Sequence, residues 1–252
     1  MSINQIFCEE ITAPVWADRT EYALDGLTDV WRVSVEANQD KLELLQNLLD
    51  KDERTRAARY HHQRDRVRFI VGRGVLRMLL GKYLGCLPEK ISFSKGLNNK
   101  PFLASPVDLH FNVSYSGNWI VMAFSDREIG VDVEYVNEDF DYSLVMQGCF
   151  TDEEIRVIES VPRPVVGFFR SWTRKEALLK ATSIGLNDHL KEFSCLDGFQ
   201  PALSKLGVTE DWRIKSFLTD EGYYISLAQK TDSPTRYYDV VKLFNGEWIT
   251  EG

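Results

Sequence analysis

Two acidic residues separated by one position, Asp132 and Glu134, are the first group in this sequence that could carry chemistry. They lie in the segment IGVDVEY, whose alternating apolar residues predict a β-strand. Alternate side chains of a strand share a face, so Val131, Val133 and Tyr135 are expected in the core. The two carboxylates then project together, a pair sufficient for Mg²⁺, which binds oxygen ligands. Solvated acidic pairs are also common on strands, and the pair alone favours that simpler interpretation.

A third carboxylate, Glu176, falls inside the apolar stripe of a predicted helix, FFRSWTRKEALLK. A carboxylate in a core-facing position costs several kcal/mol or changes its protonation state unless a cation pairs with it. A metal ion would supply that cation, whereas an exposed pair with Lys180 contributes only about 0.2–0.5 kcal/mol. Lys175 and Lys180 flank Glu176 and are candidate phosphate ligands, with solvated lysines as the alternative.

Positive charge is concentrated between residues 54 and 77, although the whole chain of 252 residues carries a net charge of −8. Guanidinium groups suit phosphate groups or an acidic partner, and a solvated helix face is the alternative. The net charge argues against a protein that binds nucleic acid along its whole surface. The basic residues of this segment are Arg54, Arg56, Arg59, His61, His62, Arg64, Arg66, Arg68, Arg73 and Arg77.

The elements that must position these residues occur twice, at an offset near 100 residues. Each half contains an apolar helix closed by glycine, then a short strand candidate, then a hairpin with turn residues between alternating runs. The corresponding segments are helices at 69–85 and 169–185, strands at 91–93 and 193–195, and hairpins at 111–125 and 214–229.

The duplication predicts an α+β fold of two similar subdomains with a cleft between them, which is where an active site is expected. We place the N-terminal subdomain at 1–126 and the C-terminal subdomain at 127–252. The sequence has no basic segment followed by an apolar run at its start, and no apolar stretch long enough to span a bilayer. A cytoplasmic protein with no membrane partner is therefore expected.

The motifs GVDVE and WTRKEALLK together resemble the paired signature of the 4′-phosphopantetheinyl transferases, in their larger surfactin-synthetase-activating (Sfp-type) branch. The resemblance extends to GRGVLR, to Lys100-Pro101 and to the segment NVSYS, and covers residues 50–190 in order and spacing. It implies a pseudo-symmetric two-subdomain protein of the holo-[acyl-carrier-protein] synthase type. Such an enzyme binds coenzyme A with Mg²⁺, or with Mn²⁺ in its place, and modifies a serine of a carrier protein.

The resemblance also implies roles for individual residues. The metal ligands would be Asp132, Glu134 and Glu176. Lys175 and Lys180 would neutralise the diphosphate, with Lys180 taking part in catalysis. The nucleotide side would be lined by Arg56, Arg59, Lys100, Pro101, Ser114 and Tyr115.

The implied reaction is attack of the carrier serine on the β-phosphorus of coenzyme A, with release of adenosine 3′,5′-bisphosphate. Glu176 or Glu154 would accept the serine proton. Glu154 also fits a helix capping box with Thr151, in which it only binds a backbone N–H group. The partners would be acidic acyl or peptidyl carrier domains of fatty acid, polyketide or nonribosomal peptide synthesis, and internal duplication makes a monomer sufficient.

Two departures from the family pattern concern the ligand side of the site. Tyr115 stands where the family commonly has a histidine, and tyrosine cannot supply a positive charge. The segment 183–186 lacks the charged residue that often precedes its Gly-Leu pair. Two other functions stay open: a binding module for coenzyme A or carrier proteins that transfers nothing, and a Mg²⁺-dependent hydrolase of nucleotide diphosphates.

Overall fold

The computed structural model describes residues 4–17, 22–96, 100–105, 107–183, 190–201, 210–230 and 232–240. Within these ranges the N-terminal half contains β1 (Gln5–Glu10), β2 (Thr28–Ser34), α1 (Leu42–Asn47), α2 (Lys51–Ala58), α3 (Gln63–Leu84), β3 (Phe93–Lys95), β4 (Pro101–Leu103), β5 (His110–Ser116) and β6 (Trp119–Ser125). The C-terminal half contains β7 (Ile129–Tyr135), α4 (Ser143–Cys149), α5 (Asp152–Ser160), α6 (Pro164–Thr182), β8 (Gly198–Pro201), β9 (Trp212–Leu218), β10 (Tyr223–Gln229) and β11 (Thr235–Asp239).

The two predicted long helices are present as α3 and α6. Helix α3 ends at Gly85, whose φ of 63° is the left-handed conformation that glycine adopts without a steric penalty, as predicted. Helix α6 begins with Pro164, which suits a first helical turn because its missing N–H group has no helical partner. The prediction that the second helix ends at Gly185 is wrong, because the last residue of α6 is Thr182. Ser183, which follows it, has a φ of 59°. Gly185 itself lies outside the described residues.

The strands form two main sheets and a small β3–β4 ribbon. One sheet has the order β7-β10-β9-β1-β8 and the other the order β11-β2-β6-β5. Both predicted hairpins are confirmed, as the antiparallel pairs β5–β6 and β9–β10. Each half contains a strand, a long helix and a hairpin in that order. The first strand pairs antiparallel with the second strand of the hairpin in both halves, as β2 with β6 and as β7 with β10. The predicted α+β duplication is therefore confirmed.

The terminal strands cross between the sheets. Strand β1 runs parallel to β9 in the five-stranded sheet, which otherwise holds strands of the C-terminal half. Strand β11 runs parallel to β2 in the four-stranded sheet, which otherwise holds strands of the N-terminal half. Each predicted half, 1–126 and 127–252, thus contributes one strand to the sheet of the other.

The molecule has four layers: α3, the four-stranded sheet, the five-stranded sheet and α6. Helix α3 packs on one face of the four-stranded sheet through Leu76 and Leu79. Helix α6 packs on the five-stranded sheet through Ala177 and Leu178. Between the sheets lie apolar side chains of both, among them Val30, Val121, Ala123, Val131, Val133 and Leu227. Among the described helices, none is long and apolar enough to cross a membrane.

The short strand predicted at 193–195 does not form. Its backbone instead binds buried side chains: Phe193 O accepts from Lys175 Nζ at 2.6 Å and Cys195 O accepts from Arg174 Nη1 at 2.9 Å. Backbone groups that already have partners cannot also join a sheet, which explains the wrong prediction. The strand predicted at 91–93 is displaced, because β3 begins only at Phe93.

Candidate functional site

Strand β7 presents its two acidic side chains on one face, as predicted. Asp132 is buried and Glu134 is half-buried, while Val131 and Val133 face the other sheet and are fully buried. The prediction that Tyr135 points into the core is wrong, since this residue is 49% exposed. Tyr135 is the last residue of β7, beyond the packed layer, and its ring covers Tyr223 with a centroid distance of 5.1 Å.

Gly130, at the start of the acidic motif, allows α6 to approach β7 closely. A Cβ atom at this position would lie 2.0 Å from Ala177 O and 2.5 Å from Ala181 N. No other residue type fits such a separation, so the glycine sets the distance between strand and helix. The short distance brings Glu176 and Lys180 of α6 over the acidic face of β7.

These side chains line a cavity of about 330 Å³, hereafter the acidic cavity. Lys180 Nζ lies 2.6 Å from Asp132 Oδ1 and donates to Ser114 Oγ at 2.8 Å. Lys180 therefore pairs with Asp132 rather than with Glu176 one turn before it. The lining residues are Val113, Ser114, Tyr115, Asp132, Glu134, Trp172, Glu176 and Lys180.

The acidic cavity holds more negative charge than its one lysine balances. Burial, then the nearby Asp132 carboxylate, raises the pKa of Glu134, and burial raises the pKa of Asp132 although Lys180 opposes the shift. Burial and the two neighbouring carboxylates raise the pKa of Glu176 to about 7. Asp132 Oδ2 and Glu176 Oε1 are buried without a hydrogen-bond partner in the described part of the chain. A cation would satisfy both oxygens.

The donor set suits a hard divalent cation, because all three carboxylates predicted as metal ligands line the same cavity. Among the described residues, however, no group of three or more acidic, histidine or cysteine side chains is already placed to hold a metal ion. The Lys180 ammonium partly explains why the three carboxylates are not gathered around one point, since it binds the Asp132 oxygen that also accepts from Ser114.

A second cavity, of about 340 Å³ and hereafter the arginine cavity, adjoins the first. Three guanidinium groups line it, together with aromatic rings that can stack on a planar ligand. Val113 and Tyr115 line both cavities, so the two share a wall. The lining residues are Arg56, Tyr60, Asp65, Arg68, Phe69, Arg73, Pro101, Phe111, Asn112, Val113 and Tyr115.

The ring of Tyr115 packs directly against Gly72 of α3, where a larger residue would not fit. A Cβ atom at Gly72 would lie 2.6 Å from Tyr115 Cε1 and 3.0 Å from its hydroxyl oxygen. The chain therefore combines a tyrosine at this position of β5 with a glycine opposite it. This pair keeps the shared wall of the two cavities in place.

The predicted nucleotide-side residues other than Lys100 lie in three places. Arg56, Pro101 and Tyr115 line the arginine cavity, and Ser114 lies in the acidic cavity, where it donates to Asp132 Oδ1 at 2.8 Å. Arg59 is exposed and is not one of the lining residues.

Lys100 lies at the C-terminal end of α6. Its ammonium donates to the backbone carbonyls of Lys180 and Ala181, the latter at 3.2 Å. Burial lowers the pKa of Lys100 to about 8, against the opposing charge of Glu128. In this conformation Lys100 caps a helix rather than facing either cavity.

Two predicted functional residues, Lys175 and Glu154, are instead buried structural partners. Both side chains are fully buried and form an ion pair of 2.9 Å. Lys175 Nζ also donates to Leu190 O at 2.6 Å, and Glu154 accepts from the N–H groups of Thr151 and Cys195 at 2.9 Å each. The predictions of Lys175 at the diphosphate and of Glu154 as a base are therefore wrong, because neither has access to the cavities.

The sequence placed Arg68 and Arg73 in the basic segment that could bind phosphate, but did not assign them to the nucleotide side, and both line the arginine cavity. A detectable signal was present for Arg73, which follows Phe69 by four residues and so shares its helix face. Arg77 continues the same run but is fully buried, with Nε 2.7 Å from Glu53 and Nη2 2.6 Å from Asp50. The basic segment thus contains cavity residues, the buried structural residue Arg77, the half-buried Arg66 and exposed residues.

Two family models match the chain in succession. The model described as 4′-phosphopantetheinyl transferase, N-terminal, matches residues 33–127. The model described as the 4′-phosphopantetheinyl transferase superfamily matches residues 128–228. The second match includes the acidic strand and α6, and the first includes α3 and β5.

Individual relatives agree with the family models. The chain is 33% identical over 205 residues to the 4′-phosphopantetheinyl transferase HetI of Nostoc sp., covering 79% of this chain and 86% of the relative. It is 34% identical over 204 residues to a putative 4′-phosphopantetheinyl transferase of Synechocystis sp., covering 74% and 81%. It is 26% identical over 196 residues to the 4′-phosphopantetheinyl transferase Sfp of Bacillus subtilis, covering 75% and 86%.

Proposed function

This chain belongs to the 4′-phosphopantetheinyl transferase superfamily, and from that premise we propose that it transfers the phosphopantetheine arm of coenzyme A to a serine of a carrier protein. One observation carries the proposal: a cavity lined by three arginines shares a wall with a cavity lined by three carboxylates and a lysine. The first suits the phosphates of a nucleotide, and the second suits a diphosphate bound with a cation. Coenzyme A contains both groups in one molecule.

Mg²⁺ would be held by Asp132, Glu134 and Glu176, and the unpaired buried oxygens of Asp132 and Glu176 support this assignment. Mn²⁺, which takes the same oxygen ligands, is the alternative. When bound, the ion supplies positive charge against the phosphate oxygens of coenzyme A. Lys180, at the edge of the same cavity, adds a second positive charge to the diphosphate.

The protein's own residues then position coenzyme A and neutralise the charge of its phosphates. Arg56, Arg68 and Arg73 bind the nucleotide phosphate, while Arg59 and Lys100 stay predicted contacts. The serine oxygen attacks the β-phosphorus, the bond from that phosphorus to the bridging oxygen breaks, and adenosine 3′,5′-bisphosphate leaves. Glu176 accepts the serine proton, since it lines the acidic cavity whereas Glu154 is buried in an ion pair outside it.

The partner would be an acidic acyl or peptidyl carrier domain, with no nucleic acid and no membrane involved. We also propose a monomer in the cytoplasm. The monomer is supported by the fold, since both cavities are formed within one chain.

Transfer is tested by incubating the protein with coenzyme A, Mg²⁺ and several unmodified carrier proteins, and measuring the intact mass of each carrier. We expect a phosphopantetheine increment on serine. Asp132→Asn should lower transfer about 100-fold or more while coenzyme A binding is partly kept, because the arginine cavity is unchanged. Asp139→Asn is the matched control, because Asp139 is exposed and outside both cavities.

Other outcomes contradict the proposal. An unmodified carrier in every case would exclude transferase activity and favour a binding module. Free phosphopantetheine without modified carrier would instead identify a hydrolase. Equal rates for wild type and Asp132→Asn would exclude the acidic cavity as the reaction site.

A further inference from the structure

The outer edge of β7 is covered by side chains of β5 rather than by another strand. Each is the last strand of its sheet in the described part of the chain. Val131 N donates to Asn112 Oδ1 at 2.9 Å, and Tyr135 N donates to Ser116 Oγ at 3.0 Å. Asn112, Ser114 and Ser116 alternate along β5 and therefore share one face, hereafter the seam. The seam joins the two sheets through side chains.

The seam also binds the two carboxylates of β7. Ser114 Oγ donates to Asp132 Oδ1 and Ser116 Oγ donates to Glu134 Oε2, each at 2.8 Å. All three seam residues are buried. Ser114 also accepts from Lys180 and lines the acidic cavity, so it belongs to the site already described.

Ser116 differs from Ser114 because it is not one of the residues that line the acidic cavity. Its hydroxyl accepts a hydrogen bond from the backbone N–H of Tyr135 in β7. It also donates to the carboxylate of Glu134, the residue before Tyr135. Both hydrogen bonds together fix the Glu134 carboxylate relative to the main chain of its own strand and to β5. A buried hydroxyl that both donates and accepts a hydrogen bond is held in one orientation.

We propose that Ser116 is a positioning residue that aims Glu134 into the acidic cavity. The inference rests on the proposed function, since it makes Ser116 the outer partner of a carboxylate that binds a divalent cation. Side chains that hydrogen-bond a ligating carboxylate from behind typically contribute about 10–100-fold to metal affinity or activity. Without the hydroxyl, Glu134 can rotate and the Tyr135 N–H group loses its partner.

The test uses Mn²⁺ as the probe, measured by electron paramagnetic resonance with coenzyme A present and carrier protein absent. Ser116→Ala should weaken Mn²⁺ binding about 10–100-fold, with the affinity for coenzyme A without metal unchanged. Ser116→Thr keeps the hydroxyl and should restore Mn²⁺ binding. Ser125→Ala is the matched control, since Ser125 is a buried serine of the neighbouring strand and hydrogen-bonds Asp126 and Arg127, away from the carboxylates.

Three results would overturn the inference: Mn²⁺ binding by Ser116→Ala within about twofold of the wild type, equal losses in Ser116→Ala and Ser125→Ala, or no Mn²⁺ binding by the wild-type protein. Failure of the proposed function is recognised separately. In that case the wild type binds Mn²⁺ and coenzyme A but modifies no carrier, and the comparison of the serine variants still decides the role of Ser116.

Discussion

Lys175 and Glu176 are neighbours in sequence but lie in different surroundings. Successive helix residues are about 100° apart around the axis, so one faces the interior behind α6 and the other faces the acidic cavity. Of the two, only Glu176 lies where the motif predicts a functional residue. The lysine of the pair holds the helix in place.

Lys175→Met tests this division. The substitution leaves the Glu154 carboxylate buried without its cation, which we expect to cost about 3–5 kcal/mol of unfolding free energy. Glu154→Gln combined with Lys175→Met should recover part of that loss, because no buried charge is left over. Urea unfolding of the single and double variants measures both effects. Unchanged stability of Lys175→Met with lost coenzyme A binding would contradict the structural role.

Glu176 makes the stability of the metal-free protein depend on pH. Its pKa rises from 4.5 when unfolded to about 7 when folded, so the folded state binds the proton more tightly. Stability therefore falls as the pH rises from about 5 to about 8, by at most about 3 kcal/mol. Glu176→Gln should remove the part of that dependence that Glu176 causes and raise the melting temperature at pH 8. Thermal unfolding in a chelator at both pH values checks this, and equal melting curves at pH 8 would refute it.

At the residue scale, the sequence predicted the three carboxylates because acidic residues in a strand motif and in an apolar helical stripe are conspicuous. It could not predict that Lys175 and Glu154 pair with each other. Their partners, including Leu190 O and Cys195 N, come from a segment whose burial leaves no periodic pattern. A buried ion pair looks the same in sequence as two charged surface residues.

The contact between β7 and α6 sets the geometry of the site at the element scale. Gly130→Ala would place a methyl group 2.0 Å from Ala177 O, so α6 must move away from the acidic strand. We expect a loss of about 3 kcal/mol or more, at the upper end of overpacking effects, together with reduced transfer. Gly148→Ala in α4 is the control, because no atom lies within 4 Å of its added methyl group. Denaturant unfolding distinguishes the two, and equal stabilities would contradict the close contact.

Both long helices and both hairpins were predictable, since apolar periodicity and turn residues are local signals. The absence of a strand at 193–195 was not predictable. Its backbone is bound by Lys175 and Arg174 of α6, and such long-range contacts override a local strand pattern. The seam was equally hidden, since Asn112 and Ser116 read as ordinary polar residues of a strand.

The exchange of β1 and β11 makes the two halves dependent on each other at the scale of the whole molecule. The segment 1–126 lacks β11 of its own sheet, and 127–252 lacks β1 of its sheet. We expect each half expressed alone to be unfolded, and the mixed halves to regain secondary structure. Circular dichroism of the separate and mixed halves measures this. A cooperative unfolding transition in either half alone would show that the exchanged strand is dispensable.

Strand exchange also sets an order for synthesis of the protein. The ribosome makes β1 well before its antiparallel partner β8 and its parallel partner β9, because β2 to β7 lie between them in the chain. The four-stranded sheet is in turn completed by β11, which follows the other described strands along the chain. The nascent chain therefore carries an unpaired strand until β8 and β9 have been made, and unpaired strand edges attract other chains. The two sheets are consequently completed only after β9 and β11 have been synthesised, and a chaperone that shields β1 until then would raise the yield of folded protein.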